Sequence, residues 1–481
     1  MNFKATRFFS AFLLSIGLHQ SASATGQPAP NVSSPWRAMA EIDLAFMAQW
    51  AKQEHINAVY PQPSAFQAIL KDAQNIAERE VPLVRNFTGY RQILNHFANT
   101  FNDAHFYVHL TLSPTNIQWP GFSAVYRDGR FETVDAAPDM QGGQIISECD
   151  GQSLTKWVAS LARYETVEAG LESTRALIAP LIFRDVSSPF VTRPKSCVIG
   201  AKEVRLEWRP INLQKYNAIL DGRRGENDPI DRIEAFGADG AWITLENFNP
   251  RTFEEAQALR KVYRDVPFLR SMRLIVIDER NNGGGPYEWF MGFIRALYGE
   301  NYTNFYARAR LQIANVYRVT PETLKSSNDT PDNSISAPPD GVDFDPNNTL
   351  MASALAKGDP VLRSPANARQ IALPKNVPIN PVKAKVIVLT GYGCYSACIG
   401  FVDEMKRIPG VIQAGVDTNV DSRTGTPFAG PLPSGNGLVM VPVMTRNGRQ
   451  RGDNVPQKPT VVFSGDIQNT GALKVWIANT F

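Results

Sequence analysis

Two segments of this chain share an order of features that limits its fold: a near-continuous apolar strand, a glycine-rich turn and a helical pattern. The strand, turn and helix cover residues 274–277, 283–285 and 287–298 in the first segment, and 386–389, 391–395 and 397–407 in the second. Strands that are apolar on both faces are typical of parallel sheets covered by helices. The alternation from about residue 240 onward therefore predicts βα units and a layered, largely parallel sheet.

The second glycine turn places Ser396 where the chain leaves a buried strand and enters a helix. In open α/β sheets, functional groups gather at the carboxyl ends of the strands. A serine at such a junction can present its hydroxyl beside backbone N–H groups that bind an oxyanion. A serine that only caps the helix fits the same pattern, so the junction alone leaves both interpretations open.

The first glycine turn, Asn281–Gly285, is a candidate anion site because glycine-rich turns at helix starts expose backbone N–H groups. It lacks the Gly-Lys-Ser/Thr of a phosphate-binding loop and does not match the dinucleotide fingerprint. The alternative role is to supply a second oxyanion donor. That role requires the two turns to be neighbours.

A serine nucleophile needs a base, and four histidines lie beyond the first 24 residues, whose pattern is that of a signal peptide. His55 and His96 lie in amphipathic helical patterns, where packed or solvated histidines are common. His105 follows the end of the helical pattern at a predicted loop edge, and His109 is its close rival.

The N-terminus predicts export. Lys4 and Arg7 precede the apolar run Phe8–Leu18, and Ala22–Ala24 has the small-x-small pattern of a cleavage site. The run is about half the ~20 residues of a spanning helix, which disfavours the alternative of a membrane anchor. We predict a signal peptide over residues 1–24 and a periplasmic or secreted protein without stable membrane insertion.

The charge distribution bears on nucleic-acid binding, and the cysteines bear on disulfides and metal binding. The net charge is +3 and the basic residues are scattered, so no nucleic acid is predicted as a partner. Four cysteines permit three pairings, and an even number fits an oxidising compartment. Closeness in sequence favours Cys394 with Cys398 and Cys149 with Cys197. A metal site at the first pair is the competing interpretation, but no histidine lies near it and no metal is predicted.

The chain divides into three parts after the leader. Helical patterns predict an N-terminal helical cap over residues 25–112, and short strands with turn residues predict a β-rich domain over 113–235. The α/β core follows over 236–481. Residues 326–348 are dense in Ser, Asn, Asp and Pro, which predicts a mobile surface insertion at about 320–350.

Several of these segments resemble the tail-specific, or C-terminal processing, family of serine peptidases. Ile275–Gly285 resembles its Asp-x-Arg-x-Asn-Gly-Gly-Gly strand and turn. Val386–Thr390 with Tyr395–Ala397 is similar to its nucleophile strand and Ser-Ala step, and Gly415–Thr418 to its Gly-x-x-Thr. The resemblance implies a multi-domain α/β protein with a ClpP/crotonase-like core. Residues 143–151 look like the end of a PDZ-like domain, which the resemblance then places at 113–235.

The resemblance also implies roles for individual residues. Bacterial processing enzymes use a Ser/Lys dyad, but the corresponding stretch, Asp417–Gly425, contains only Arg423 as a basic residue. The branch that resembles the tricorn core and the retinoid-binding repeats has an upstream Asp-x-His, which Asp103-Ala104-His105 matches. On this resemblance His105 is the general base.

The remaining roles follow the same resemblance. The Gly284 and Ala397 N–H groups are expected to form the oxyanion hole, and Asp453 is the candidate for the third catalytic residue. The family often has Glu three positions after the nucleophile, where this chain has Ile399.

The predicted function is hydrolysis of a peptide or protein substrate by a serine peptidase without a cofactor, in an undetermined oligomeric state. One alternative is a catalytically inactive protein that binds a peptide or apolar ligand on the same fold. The other is an esterase or a crotonase-like acyl-CoA enzyme. Export away from CoA pools and the lack of a clear phosphate site disfavour the CoA version.

Overall fold

The computed structural model describes residues 34–115, 117–134, 142–221, 230–307, 313–328, 347–364 and 376–481. The predicted signal peptide over residues 1–24 lies outside these ranges. The centre of the predicted insertion, residues 329–346, also lies outside them. At the two ends of the insertion the described chain is helical, over Pro321–Asn328 and Asn347–Lys357.

Three helices form at the N-terminus where the amphipathic patterns predict them: α1 (Pro35–Glu54), α2 (Pro63–Glu80) and α3 (Phe87–Asn99). Proline stands in the first turn of α1 and α2, where no backbone N–H donor is needed. The Asn86 side chain caps α3 by accepting a hydrogen bond from the Gly89 N–H.

The next region contains short strands and three helices. The strands are β1 (Tyr107–Leu110), β2 (Ile117–Trp119), β3 (Ser123–Arg127), β4 (Arg130–Val134), β5 (Ile146–Cys149), β6 (Gln152–Ser153), β7 (Ser196–Ile199), β8 (Lys202–Arg205) and β9 (Arg209–Ile211). The helices are α4 (Leu154–Ala162), α5 (Glu172–Ile182) and α6 (Leu213–Asp221). Strands β5 to β8 form a sheet in the order β6-β5-β7-β8. A disulfide between Cys149 and Cys197 joins β5 to β7.

The C-terminal half contains the remaining elements. Its strands are β10 (Arg232–Phe236), β11 (Gly240–Thr244), β12 (Leu274–Asp278), β13 (Ala314–Arg318), β14 (Val361–Arg363), β15 (Lys385–Thr390), β16 (Ile412–Gly415), β17 (Thr424–Pro431), β18 (Gly437–Asn447) and β19 (Val461–Val462). Its helices are α7 (Phe253–Asp265), α8 (Tyr287–Tyr298), α9 (Glu300–Tyr306), α10 (Pro321–Asn328), α11 (Asn347–Lys357), α12 (Ala397–Met405) and α13 (Thr470–Thr480).

Six of these strands form the predicted layered sheet, in the order β10-β11-β12-β15-β16-β19. All neighbours are parallel except β10, which is antiparallel to β11. Alternate residues of the central strands face opposite layers. Ile275 and Val386 pack in the cluster that contains residues of α7, α8 and α12, whereas Val276 and Ile387 pack in the cluster with Leu473 of α13. The mixed α/β architecture that the sequence predicts is therefore present.

A second sheet joins strands that are far apart in the sequence. Strand β1 pairs with β18, which also pairs with β13 and β17. Val439 and Val441 of β18 are buried in one apolar cluster with residues of α1, α2 and α3. The N-terminal helices thus share a core with a strand that follows them by more than 300 residues. Because β1 also pairs with that strand, both ends of the segment between α3 and β1 are held in place.

Within the described ranges, no helix is both long enough and apolar enough to cross a bilayer.

We predict that Cys149→Ser combined with Cys197→Ser lowers the free energy of unfolding by about 2–4 kcal/mol, because the bridge closes a loop of 48 residues in the unfolded chain. The midpoint of urea unfolding, followed by fluorescence, measures this change. An unchanged midpoint would show that this bridge does not stabilise the fold.

Candidate active site

The two glycine turns are neighbours. Strands β12 and β15 are adjacent and parallel, with Ile277 opposite Val388, so both turns leave the same edge of the sheet. The Tyr395 N–H donates to the Asn282 carbonyl at 3.0 Å. A Cβ atom on Gly284 would lie 2.9 Å from the Ser396 Cβ, so only glycine permits this close approach. The condition for a shared oxyanion site is therefore met.

Ser396 occupies the N-cap position of α12, but its side chain makes no capping hydrogen bond. Its backbone has φ 54° and ψ −112°, a region that residues other than glycine rarely adopt. The hydroxyl is directed instead toward His105, whose Nε2 lies 3.1 Å from the Ser396 Oγ. The two residues are 291 positions apart, so tertiary structure alone creates this contact.

His105 is buried, with 4% of its surface exposed. Burial lowers the pKa of its imidazole below the ordinary value, and the charge of Asp103 partly opposes this shift. The lowered pKa favours the neutral form of the ring. A neutral imidazole whose Nε2 contacts a serine hydroxyl can accept the hydroxyl proton.

Asp103 organises the residues behind the imidazole. Its Oδ1 accepts the His105 backbone N–H at 2.9 Å and the Ser422 hydroxyl at 2.6 Å, and its Oδ2 accepts the Thr424 hydroxyl. The same Oδ1 lies 3.8 Å from the His105 Nδ1, and Oδ2 lies 3.9 Å from the His55 Nε2. The carboxylate therefore sits between two histidine rings.

The other histidines occupy different environments. His55 is buried, and its Nδ1 accepts the Asn57 N–H, which leaves the ring proton on Nε2 facing Asp103. Burial lowers the pKa of His55 to about 4. His96 contacts Glu80 through Nδ1, and His109 is exposed in β1 opposite Leu438. Of the candidate bases, His105 is the one whose ring contacts Ser396.

Asp453 lies elsewhere. Its carboxylate accepts the Arg423 N–H and Nε–H and the Arg449 Nη2, and its side chain is 41% exposed. Among the described residues, no hydrogen bond joins Asp453 to His105. The structure thus brings Ser396 and His105 together but does not bring Asp453 to them.

The structure also identifies neighbours of the pair that the sequence did not indicate. Ser422 and Thr424 bind Asp103, and the Tyr395 ring lies 5.6 Å from the His105 ring. Tyr395 could have been found by its position beside Ser396. Nothing local marks Ser422 or Thr424, because their role depends on a residue about 320 positions away.

The two predicted oxyanion donors are the Gly284 and Ala397 N–H groups. The Gly284 N–H donates to the Asn282 Oδ1 at 2.8 Å, so an internal acceptor occupies it in this conformation. Ala397 is the first residue of α12, and its nitrogen lies 2.8 Å from the position of a Cβ on Gly284. The two N–H groups are adjacent, and the Gly284 N–H already has a hydrogen-bond partner.

Both cysteine pairs are disulfides, in the pairing that closeness in sequence favours. Cys394 and Cys398 flank Ser396 by two residues on each side. In the part of the chain that the structure describes, no group of three or more His, Cys, Asp or Glu side chains could hold a metal ion.

No protein-family model and no curated protein matches this chain. Among solved structures, mature CPAF aligns with TM-score 0.57 and 13% identity over 92% of this chain and 97% of that one. Mature CPAF complexed with lactacystin gives TM-score 0.56 and 14% identity over 92% and 98%. The photosystem II D1 C-terminal processing protease aligns over 90% and 94% at 12% identity, with TM-score 0.32.

The chain shares the fold of mature CPAF. The likeness to CPAF covers nearly the whole of both chains with a TM-score above 0.5. The resemblance in the sequence motifs is thereby confirmed at the level of fold. At 13–14% identity the likeness extends to the fold alone.

We predict that Asp103→Asn lowers the pKa of His105 further, because the carboxylate charge that favours the imidazolium is removed. NMR titration of the protein with isotope-labelled histidine measures this shift. A His105 pKa that is unchanged or raised in the variant would contradict the electrostatic role of Asp103.

Proposed function

We propose that this protein is an exported serine peptidase in which Ser396 is the nucleophile and His105 the general base. The observation that carries the proposal is the 3.1 Å contact between the His105 Nε2 and the Ser396 Oγ. This contact lies at the edge of the six-stranded sheet where the two glycine turns are neighbours. A nucleophile and a base within hydrogen-bond reach are the minimum requirement for acyl transfer.

In the proposed reaction, the His105 Nε2 accepts the Ser396 proton as Oγ attacks the carbonyl carbon of a peptide bond. For Nε2 to accept, the proton of the neutral ring must already be on Nδ1, on the side where the Asp103 Oδ1 lies at 3.8 Å. The negative charge of Asp103 stabilises the imidazolium that forms. His105 next donates the proton to the leaving amine, and water releases the acyl group through the same base.

The oxyanion is expected to bind the Ala397 N–H, at the N-terminus of α12 where the helix dipole favours negative charge, and the neighbouring Gly284 N–H of the first glycine turn. The Gly284 N–H must leave the neutral Asn282 amide oxygen for this purpose. Hydrogen bonds to charged acceptors are about twice as strong as those between neutral groups, which favours the exchange. Asp453 has no catalytic role in this proposal, since its carboxylate is held by Arg423 and Arg449.

The setting of the reaction also belongs to the proposal. Residues 1–24 would direct export to the periplasm or the exterior, and two disulfides are consistent with such a compartment. A β-rich, PDZ-like region over 113–235 would precede the catalytic core over 236–481. The substrate would be a peptide or protein, and the mechanism uses no cofactor.

One observation favours a second candidate function, a non-catalytic protein that binds a peptide or apolar ligand in the same cleft. The Gly284 N–H is already satisfied by Asn282, so the oxyanion site is not open in this conformation. Covalent reactivity of Ser396 separates the two functions, because a binding protein has no need of an activated serine.

We predict that a fluorophosphonate probe labels Ser396 in the mature protein, residues 25–481, and that His105→Ala lowers the labelling rate by about 10²–10⁴-fold through loss of the general base. Ser396→Ala should abolish labelling. Mass spectrometry of the labelled peptide gives the site and the rate.

His109→Ala is the matched control for this experiment, because His109 is an exposed histidine four residues from His105. It should label at the wild-type rate. Absence of labelling in wild-type protein that is shown to be folded would favour the binding protein.

We predict that the acid limb of the pH profile of kcat/KM for an uncharged peptide lies below about pH 6.5, the ordinary histidine pKa. Burial lowers the His105 pKa, so the neutral, reactive imidazole persists to lower pH than in an exposed histidine. A limb above that value would show that His105 is not the group whose protonation limits the reaction.

A further inference from the structure

The Cys394–Cys398 disulfide encloses the proposed nucleophile. Ser396 stands at the centre of a five-residue ring that the sulfur–sulfur bond closes, and the Cα atoms of the two cysteines are 5.3 Å apart. Both cysteines are fully buried in the apolar cluster that also contains residues of α8 and α12. Cys398 belongs to the first turn of α12, so the bridge ties the turn before Ser396 to the helix after it.

The conformation inside this ring needs external support. Ser396 has a positive φ of 54° with ψ −112°, and such backbone states persist only where the surroundings over-determine them. Backbone hydrogen bonds supply part of the support: Tyr395 N–H to Asn282 O, Cys398 N–H to Tyr395 O, and Asn419 N–H to Cys394 O. A fourth bond, from the Gly400 N–H to the Ser396 carbonyl at 3.1 Å, engages Ser396 itself on the helix side. The disulfide spans Ser396 and restrains both sides of it.

We propose that the Cys394–Cys398 disulfide is a positioning element that holds Ser396 against His105, so that the reactivity of the serine depends on the oxidised state of this pair. The inference rests on the proposed peptidase function. Reduction by a dithiol transfers two electrons and two protons to the bridge. It leaves Cys394 and Cys398 as thiols and converts the dithiol to a disulfide.

The second disulfide provides a contrast within the same chain. Cys149–Cys197 joins two strands across 48 residues, whereas Cys394–Cys398 spans only 4. The unfolded-chain entropy that a bridge removes grows with loop length, so the long bridge should contribute more to overall stability. The short bridge should contribute mainly to the local geometry of Ser396. Removal of the short bridge should therefore mainly reduce the reactivity of Ser396, and removal of the long bridge should mainly reduce the stability of the fold.

The experiment compares two double variants of the mature protein, Cys394→Ser with Cys398→Ser and Cys149→Ser with Cys197→Ser, with the oxidised wild type. The readouts are the fluorophosphonate labelling rate at Ser396, kcat and KM on a peptide, and the midpoint of urea unfolding. The Cys394/Cys398 variant should label at least about tenfold more slowly, with kcat reduced and KM little changed, as expected for lost orientation. The Cys149/Cys197 variant should label at the wild-type rate with the larger loss of midpoint.

A redox titration of the wild type makes the test independent of how the variants fold. Dithiothreitol is added in steps, newly formed thiols are alkylated and located by mass spectrometry, and labelling is measured at each step. Labelling should fall as Cys394 and Cys398 appear as thiols and return after reoxidation.

The possible failures are distinguishable. Absence of labelling in the oxidised wild type would overturn the proposed function, and this inference with it. Normal labelling of the wild type together with equal labelling of a folded Cys394/Cys398 variant would overturn the positioning role alone. The positioning role would also be overturned if labelling fell when Cys149 and Cys197, rather than Cys394 and Cys398, appeared as thiols.

Discussion

The geometry of the candidate site depends on the buried carboxylate of Asp103. Its oxygens accept hydrogen bonds from the His105 backbone and from the Ser422 and Thr424 hydroxyls, so it joins the end of the N-terminal helical region to the start of β17. Ser422, just before β17, and Thr424, its first residue, are 319 and 321 positions away in sequence. A buried carboxylate without such partners would be strongly destabilising, so these hydroxyls are a requirement of the fold as well as of the site. By fixing the backbone of His105, Asp103 also fixes where the imidazole meets Ser396.

The parts of the structure that the sequence predicted are those with local causes. Helices α1, α2 and α3 follow amphipathic periodicity, and β12 and β15 are apolar on both faces because helices cover the sheet on both sides. The pairing of Ser396 with His105 was predicted from the family resemblance, since nothing local relates residues so distant. The role given to Asp453 could not be judged from sequence: whether an aspartate faces a histidine or an arginine depends on neighbours that tertiary structure supplies. For the same reason Ser422, Thr424 and the occupied Gly284 N–H were not foreseen.

The site combines residues that are 291 positions apart in sequence on a frame of α/β packing. The apolar cluster shared by the N-terminal helices and β18 carries His105 to the edge of the six-stranded sheet, where α12 presents Ser396. The likeness to CPAF covers this frame at 13–14% identity and therefore supports the fold alone. The chemistry rests on the contacts of this chain's own residues, chiefly the imidazole, the serine in its positive-φ turn and the adjacent backbone donors.

The most direct test of the central claim is a crystal structure of residues 25–481 after reaction with a fluorophosphonate. The account predicts phosphorus bonded to the Ser396 Oγ, the His105 Nε2 within hydrogen-bond reach of the adduct, and a phosphonyl oxygen that accepts the Ala397 and Gly284 N–H groups. Gly284 would then have left the Asn282 amide oxygen. An adduct on another residue, or a phosphonyl oxygen directed away from both N–H groups, would contradict the account.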